Sequence, residues 1–163
     1  MALVLTPPVP DMTVMFREIR AADIDELLRV RAATRENALS KERLALMGIT
    51  AASIAESLTG GTVKGWACSC ESRIVGFCMG DSASGEVLVL AVLPEAEGRG
   101  VGKTLLSLVV DWLGSFRPTR IWLGAPRDPH VRAYGFYRAL GWKPVGETDA
   151  NGDDVLVLVP DHA

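Results

Sequence analysis

The segment LVLAVLPEAEGRGVGKTLL (residues 88–106) joins an apolar run to a glycine-rich turn and then to a helical pattern. The Val- and Leu-rich run predicts a strand over residues 84–93 that is buried on both faces. Gly98, Gly100 and Gly102 remove side chains where the strand turns into the helix. The first N–H groups of a helix lack internal partners and, with the helix dipole, favour an anion. The segment therefore predicts an anion-binding turn, with a tight turn that binds nothing as the alternative.

The glycine spacing does not match the common nucleotide-binding patterns. A P-loop requires G-x-x-x-x-G-K-[ST]. Counting back from Gly102-Lys103-Thr104, the first glycine of that pattern falls at residue 97, where the chain has Glu97. The pattern G-x-G-x-x-G fails as well, because the glycines stand at 98, 100 and 102. The anion is therefore not expected to be the phosphate of an ATP or dinucleotide site of these two kinds.

Outward from this segment, alternating strand and helix patterns predict a mixed α/β (α+β) fold. Strands are predicted over residues 14–20, 63–71, 73–81, 84–93, 119–125, 143–147 and 154–160. Helices are predicted over residues 21–37, over 40–61 as one or two pieces, from residue 100 to before Pro118, and over 130–141. The three middle strands must be antiparallel, and the strand–helix–strand unit from 86 to 125 must be a parallel crossover. We expect a mostly antiparallel sheet of six to seven strands, flanked by about four helices.

Composition narrows the class of protein. The chain has 163 residues and a net charge of −3, which suits one domain and disfavours a dedicated nucleic-acid binder. The prolines of residues 1–12 predict an extended tail, followed by a single domain over 13–163. The sequence has no run long enough to span a membrane and no recognisable export signal, so a cytoplasmic location is expected.

Cysteine and histidine usage argues against a metal site. Cys68, Cys70 and Cys78 lack the spacing of zinc or redox motifs and are expected to be reduced thiols. Only His130 and His162 are present, so a histidine-based metal centre is not expected. No set of Ser, His and Asp that would form a nucleophilic triad can be recognised, and no metal is predicted.

Two stretches, the segment quoted above and YGFYRALGW (residues 134–142), resemble the GNAT superfamily of acyl-CoA-dependent N-acetyltransferases. The superfamily signature [QR]-x-x-G-x-[GA] corresponds to Glu97-Gly98-Arg99-Gly100-Val101-Gly102. The sequence departs from it at Glu97, because an ionised carboxylate cannot donate hydrogen bonds as Gln and Arg can. The order of predicted elements also resembles the fold of this superfamily, over roughly residues 14–147.

The resemblance implies acetyl-CoA as co-substrate, with its diphosphate on the glycine turn. It also implies a sheet that opens between the strand ending at Val92 and the strand at 120–125, where the pantetheine arm pairs like an added strand. His130 stands where many relatives carry an Asn near coenzyme A, although it could equally be a surface residue at a helix start. The implied coenzyme-binding residues are Leu90, Ala91, Val92, Glu97, Gly98, Arg99, Gly100, Val101, Gly102, Lys103, His130 and Tyr137.

Acetyl transfer to an amine requires a base, a donor to the thioester oxygen and an acid for the departing thiolate. Glu86 is the only ionisable side chain of the strand 86–92, at the position where one branch of the superfamily carries its base. Ordered water and backbone carbonyls are the alternative to Glu86. By resemblance Tyr137 is the acid, with a core aromatic as its alternative, and the N–H of Val92 or a neighbour is the oxyanion donor.

The acceptor is the least determined part of the prediction. By resemblance, residues 31–48 cover the acceptor side, and Arg31, Arg35, Glu36 and Asn37 either read the substrate or face water. The predicted function is direct acetyl transfer from acetyl-CoA to a primary amine of a small molecule or peptide, in a ternary complex. A non-catalytic acyl-CoA-binding regulatory module is the alternative. No nucleic-acid or membrane partner is expected, and a homodimer is left open.

Overall fold

The computed structural model describes residues 13–158. The predicted tail over 1–12 and the end of the last predicted strand lie outside this range. Seven strands are present: β1 (Val14–Glu18), β2 (Val63–Cys70), β3 (Arg73–Asp81), β4 (Glu86–Val92), β5 (Trp122–Ala125), β6 (Trp142–Thr148) and β7 (Asp154–Leu158). Five α-helices are present in the same range: α1 (Ile24–Ala32), α2 (Lys41–Leu46), α3 (Ala51–Thr59), α4 (Val101–Gly114) and α5 (Arg132–Ala139).

The strands form one sheet in the order β1-β2-β3-β4-β5-β7-β6. Neighbouring strands from β1 to β4 are antiparallel, β4 and β5 are parallel, and β7 pairs antiparallel with both β5 and β6. The predicted mixed, mostly antiparallel sheet and its parallel crossover are confirmed. The number of helices is five, because residues 40–61 form two short helices separated by a turn at Gly48.

Both predicted hairpins have the backbone that their turn residues favour. Glu71 and Ser72 join β2 to β3 with φ of 50° and 65°. Two adjacent residues of positive φ match the right-handed twist of the strands that they connect. Between β6 and β7 the chain turns at Asn151-Gly152, and Gly152 has a φ of 81°.

Helix α4 covers the centre of the sheet. Its residues Leu105, Val109 and Leu113 are completely buried, and they pack with Ile74 and Cys78 of β3 in the main core. The helical period of the sequence after Gly100 places these apolar residues on one face. The helix that carries the glycine turn at its start is therefore anchored along its length to the sheet.

Helix α1 is attached to β3 by two side chains. Glu26 Oε2 accepts a hydrogen bond from the N–H of Ile74 at 3.0 Å, and Arg29 Nη2 donates to the C=O of Ile74 at 2.9 Å. Ile74 lies at an irregularity of the β2–β3 register, where Ser69 pairs with Ile74 and Cys68 pairs with Gly76. The two side chains thus satisfy both backbone groups of Ile74.

Helix α1 and strand β4 differ from the sequence prediction. Helix α1 ends at Ala32 and not at residue 37, and Asn37 has a φ of 56°. Strand β4 is not buried on both faces: Val87 and Ala91 are buried, but Leu88 is 44% exposed. The alternation of covered and open positions is that of a strand with one covered face. The open face of β4 also carries Glu86 and Leu90, which are both partly exposed.

Candidate active site

The glycine turn presents a row of backbone N–H groups. Gly98 and Gly100 have φ of 75° and 78°, a backbone conformation that favours glycine. Helix α4 begins at Val101 without a side-chain cap. Within residues 13–158, the N–H groups of residues 98–103 donate no hydrogen bond to protein atoms. A β-carbon added at Gly98 or Gly100 would meet no heavy atom within 4 Å, so the space beside these two residues is open.

Gly102 lies where three elements of the structure meet. A β-carbon at this position would lie 3.5 Å from Cζ of Phe136 in α5 and 3.7 Å from Cγ2 of Val92 in β4. The start of α4, the middle of α5 and the end of β4 therefore converge beside the turn. The structure thus brings the two sequence motifs, residues 88–106 and 134–142, into contact.

The sheet opens next to this turn. Strands β4 and β5 share a single pair, Glu86 with Trp122, and β5 then pairs with β7 along Trp122–Ala125. Beyond Glu86, β4 pairs among the described residues 13–158 only with β3, as far as Val92 with Gly76. The edge of β4 that faces the opening is therefore free to pair with an extended ligand. Leu90, Ala91 and Val92 lie on this free stretch.

Tyr137 lies on the core side of α5 and is 9% exposed. Its ring contacts Phe136 and Trp142 edge to face, with centroids 5.2 and 6.2 Å away. Burial raises the pKa of Tyr137; the Cys78 thiol raises it further, whereas the Arg31 guanidinium lowers it. Cys78 pairs with Leu90 across β3 and β4, so the phenol lies near the middle of β4. It is a neutral group that can donate a proton.

Glu86 stands at the closed end of the opening, in the one residue pair that joins β4 to β5. Its backbone N–H donates to Ser84 Oγ at 3.3 Å. Burial raises the pKa of the Glu86 carboxyl, and the nearby carboxylates of Asp149 and Asp81 raise it further. A raised carboxyl pKa makes the ionised group a stronger base near neutral pH.

His130 lies in the turn before α5, which begins at Arg132 and not at residue 130 as predicted. Its side chain is 91% exposed, and Nδ1 is 2.9 Å from Asp128 Oδ1. The backbone N–H of His130 donates to the same oxygen. The ring therefore contacts Asp128, and the predicted contact with the coenzyme stays a prediction.

Glu97 binds two arginines from distant parts of the chain. Arg35 Nε donates to Glu97 Oε2 at 3.0 Å, and Arg132 Nη1 donates to the same oxygen. Sequence reasoning missed Arg132 altogether and did not connect Arg35 with Glu97. The signal was the departure from the signature at Glu97, because a carboxylate beside an anion site requires cations of its own. Two further basic residues of the turn, Arg99 and Lys103, are exposed.

The remaining sequence predictions concern thiols, metals and membranes. Cys68, Cys70 and Cys78 are free, and burial raises the pKa of Cys68 to about 11, so this thiol stays protonated. Among residues 13–158, no group of three His, Cys, Asp or Glu side chains is arranged to hold a metal ion. No helix in the same range is long and apolar enough to cross a membrane.

Comparison with known proteins identifies the class. The model of the acetyltransferase (GNAT) family matches residues 29–142. The chain therefore belongs to the GNAT acetyltransferase family. No curated protein matches the sequence.

Solved structures of the same fold include three acetyltransferases. PaiA N-acetyltransferase from Thermoplasma acidophilum, solved in complex with coenzyme A, has a TM-score of 0.75 at 20% identity, over 91% of this chain and 100% of that one. An acetyltransferase of the GNAT family from Staphylococcus aureus Mu50 has a TM-score of 0.72 at 15% identity, over 90% and 98%. The ribosomal-protein-S18-alanine N-acetyltransferase from Escherichia coli has a TM-score of 0.63 at 14% identity, over 89% and 90%. At these identities the likeness establishes the fold alone.

Proposed function

We propose that this protein transfers the acetyl group of acetyl-CoA directly to a primary amine of a small molecule or peptide. One observation carries the proposal: a row of free N–H groups at residues 98–103 lies beside the opening between β4 and β5. Such a row at a helix start suits a diphosphate, and a free strand edge suits the amide-containing pantetheine arm. The comparison with PaiA N-acetyltransferase, which was solved with coenzyme A, supports the same ligand. We place the reaction in the cytoplasm.

The residues present fit this co-substrate. The space beside Gly98 and Gly100 is open, and within residues 13–158 the N–H groups of residues 98–103 donate to no protein atom. The exposed Arg99 and Lys103 add positive charge to the same turn. When bound, the coenzyme supplies an activated acetyl thioester. The protein must then hold the thioester near the free edge of β4 and bring the amine to it in a ternary complex.

Two groups of the protein act on the reacting thioester. A backbone N–H on the free stretch of β4, at Val92 or a neighbour, donates to the carbonyl oxygen as negative charge develops there. The Tyr137 phenol gives its proton to the sulfur as the carbon–sulfur bond breaks. Burial keeps the phenol neutral, which is the state that this role requires. The side chain is positioned by its packing against Phe136 and Trp142.

Glu86 takes the proton that the amine loses. Leu90 lies four positions after Glu86, a distance of about 13 Å along a strand, so the carboxylate acts through water rather than by direct contact. The raised pKa of Glu86 suits this role, because the ionised carboxylate is then more basic than an ordinary one. Ordered water and backbone carbonyls without Glu86 remain the competing route, which the pH dependence of the reaction separates.

The test is release of coenzyme A thiol from acetyl-CoA in the presence of a panel of primary amines, diamines and peptides. We expect amine-dependent thiol release and an acetylated amine in the product. Calorimetric binding of coenzyme A, measured in parallel, tests the shared premise. Binding without release for any amine would favour the non-catalytic acyl-CoA-binding module, and absence of binding would refute both functions.

A further inference from the structure

The carboxylate of Glu97 joins three elements at the glycine turn. It accepts from Arg35, which lies in the connection after α1, at 3.0 Å, and from Arg132, the first residue of α5. The Glu97 side chain is only 15% exposed, whereas those of Arg35 and Arg132 are 56% and 58% exposed. The carboxylate is therefore enclosed by two guanidinium groups that still have one side open to solvent.

The connection after α1, residues 33–40, is held at further points. Glu36 Oε2 accepts from the N–H of Arg132 at 2.8 Å. Arg31 Nη1 donates to the C=O of Asn37 at 2.6 Å, and Leu39 N–H donates to the C=O of Arg31 at 3.2 Å. This connection therefore bridges α1, the glycine turn and the start of α5. By the proposed function, it lies between the acceptor side and the coenzyme.

Glu97 is a poor neighbour for a diphosphate. An anion on the free N–H groups of residues 98–103 would be repelled by the carboxylate of the adjacent residue 97 and attracted to the guanidinium groups that this carboxylate binds. Guanidinium forms bidentate pairs with phosphate at least as well as with carboxylate. The two anions therefore compete for the same two arginines.

We propose that Arg35 and Arg132 are coenzyme ligands that Glu97 holds in the free protein, and that the diphosphate of coenzyme A takes them over on binding. Arg35 is then also a positioning residue for the acceptor, because its contact with the diphosphate fixes the connection 33–40 over the bound thioester. This inference rests on the proposed function, since it requires coenzyme A at the glycine turn.

The test uses calorimetry to compare the affinities of three variants and one control variant for coenzyme A and for 3′-dephospho-coenzyme A. Arg35→Gln should weaken the binding of both ligands about tenfold, the loss of one charge-assisted hydrogen bond. Glu97→Gln should tighten the binding of both, because it removes the competitor. Arg35→Lys should restore part of the affinity, since it keeps the charge but loses the planar fork. Arg43→Gln, an exposed arginine of α2, is the matched control and should leave both affinities unchanged.

A kinetic measurement separates positioning from a merely structural role. At saturating acetyl-CoA, Arg35→Gln should raise the KM for the amine with little change in kcat. Weaker binding of coenzyme A by Glu97→Gln would overturn the proposed transfer of the two arginines from Glu97 to the diphosphate. A lower affinity of Arg35→Gln for coenzyme A, but not for 3′-dephospho-coenzyme A, would overturn it as well. If the unmodified protein binds neither ligand, the proposed function itself is refuted. That result differs from the two results above, in which the protein binds coenzyme A but the arginines do not change partner.

Discussion

Gly80 of β3 lies directly against Val109 of α4, and a β-carbon at position 80 would come 2.7 Å from Val109 Cγ1. The same β-carbon would be 3.2 Å from Leu113 Cδ1. Val is β-branched and stiff at χ1, so its methyl group cannot turn aside at little cost. The absence of a side chain at Gly80 therefore allows α4 to approach the sheet closely.

The first prediction concerns this contact. Gly80→Ala should destabilise the protein by about 1–3 kcal/mol, because it overpacks the interface between α4 and β3. Gly114→Ala is the control, since a β-carbon at Gly114 would meet nothing within 4 Å and alanine is favoured in helices. Urea unfolding of both variants checks the prediction. Equal stabilities of the two variants would show that α4 shifts without penalty.

The glycine turn gives a second prediction with a closely matched control. Gly100 and Gly141 both have positive φ, 78° and 95°, and neither would place a β-carbon within 4 Å of another group. Alanine at either position should cost about 1 kcal/mol of stability through backbone strain. Only Gly100→Ala should also weaken coenzyme A binding, about tenfold, because its methyl group stands where the diphosphate meets the N–H groups. Calorimetry on both variants tests this, and a similar affinity for both would place the diphosphate elsewhere.

The third prediction tests the acid. Tyr137→Phe should lower kcat about 100-fold while the affinity for coenzyme A stays nearly the same, because the variant loses the proton donor but keeps the ring packing. Tyr134→Phe on the same helix, where Tyr134 stacks with Arg138 at 3.6 Å, is the control and should retain kcat. Steady-state rates and binding are measured for each. A parallel loss of binding and rate in Tyr137→Phe would assign the phenol to coenzyme binding instead.

The fourth prediction follows from the raised pKa of Glu86. A base works only when it is deprotonated, so kcat/KM should rise with pH through the raised pKa of this carboxyl. Asp149→Asn removes one of the negative charges that raise this pKa, so the acidic limb of the profile should move to lower pH. The variant keeps Oδ1, which accepts from the N–H groups of Asn151 and Asp153.

Two further variants complete the pH experiment. Glu86→Gln should abolish the acidic limb and lower the rate, since a neutral amide cannot take the proton. Asp25→Asn, an exposed carboxylate of α1, should leave the limb where it is. A profile of Glu86→Gln that keeps its acidic limb would assign the proton transfer to ordered water and backbone carbonyls.

The sequence predicted those features whose signals are local. Hydrophobic period located α4 and the strands, turn residues located both hairpins, and the spacing of the glycines distinguished the turn from a nucleotide loop. Strand β4 was predicted to be buried on both faces because residues 87–93 are all apolar. Composition alone does not show that Leu88, which is 44% exposed, lies on the open face of β4.

The missed features depend on contacts between distant residues. The prediction extended α1 to residue 37, but the connection after Ala32 is held by a hydrogen bond that the N–H of Arg132, 96 residues away, donates to the Glu36 carboxylate. The pair of Arg35 and Glu97 spans 62 residues. Ion pairs leave no hydrophobic period in a sequence, so the departure from the signature at Glu97 indicated that cations are needed there but not that Arg132 is one of them.

The attachment of α1 to Ile74 has a consequence for ligand selectivity. On the side of β3 that faces β4, the N–H of Leu93 donates to the C=O of Val75 at 2.8 Å. The chain then leaves β3 at Pro94, so Ile74 lies one residue beyond the last pair on this side. Without the side chains of Glu26 and Arg29, the N–H and C=O of Ile74 would be free to pair with an extended segment of another molecule. Glu26 and Arg29 occupy the N–H and C=O of Ile74. The edge of β4 beyond Glu86 therefore remains for pairing with an extended ligand. Under the proposed function, this charged pair on one helical turn thus confines an extended ligand to the edge of β4.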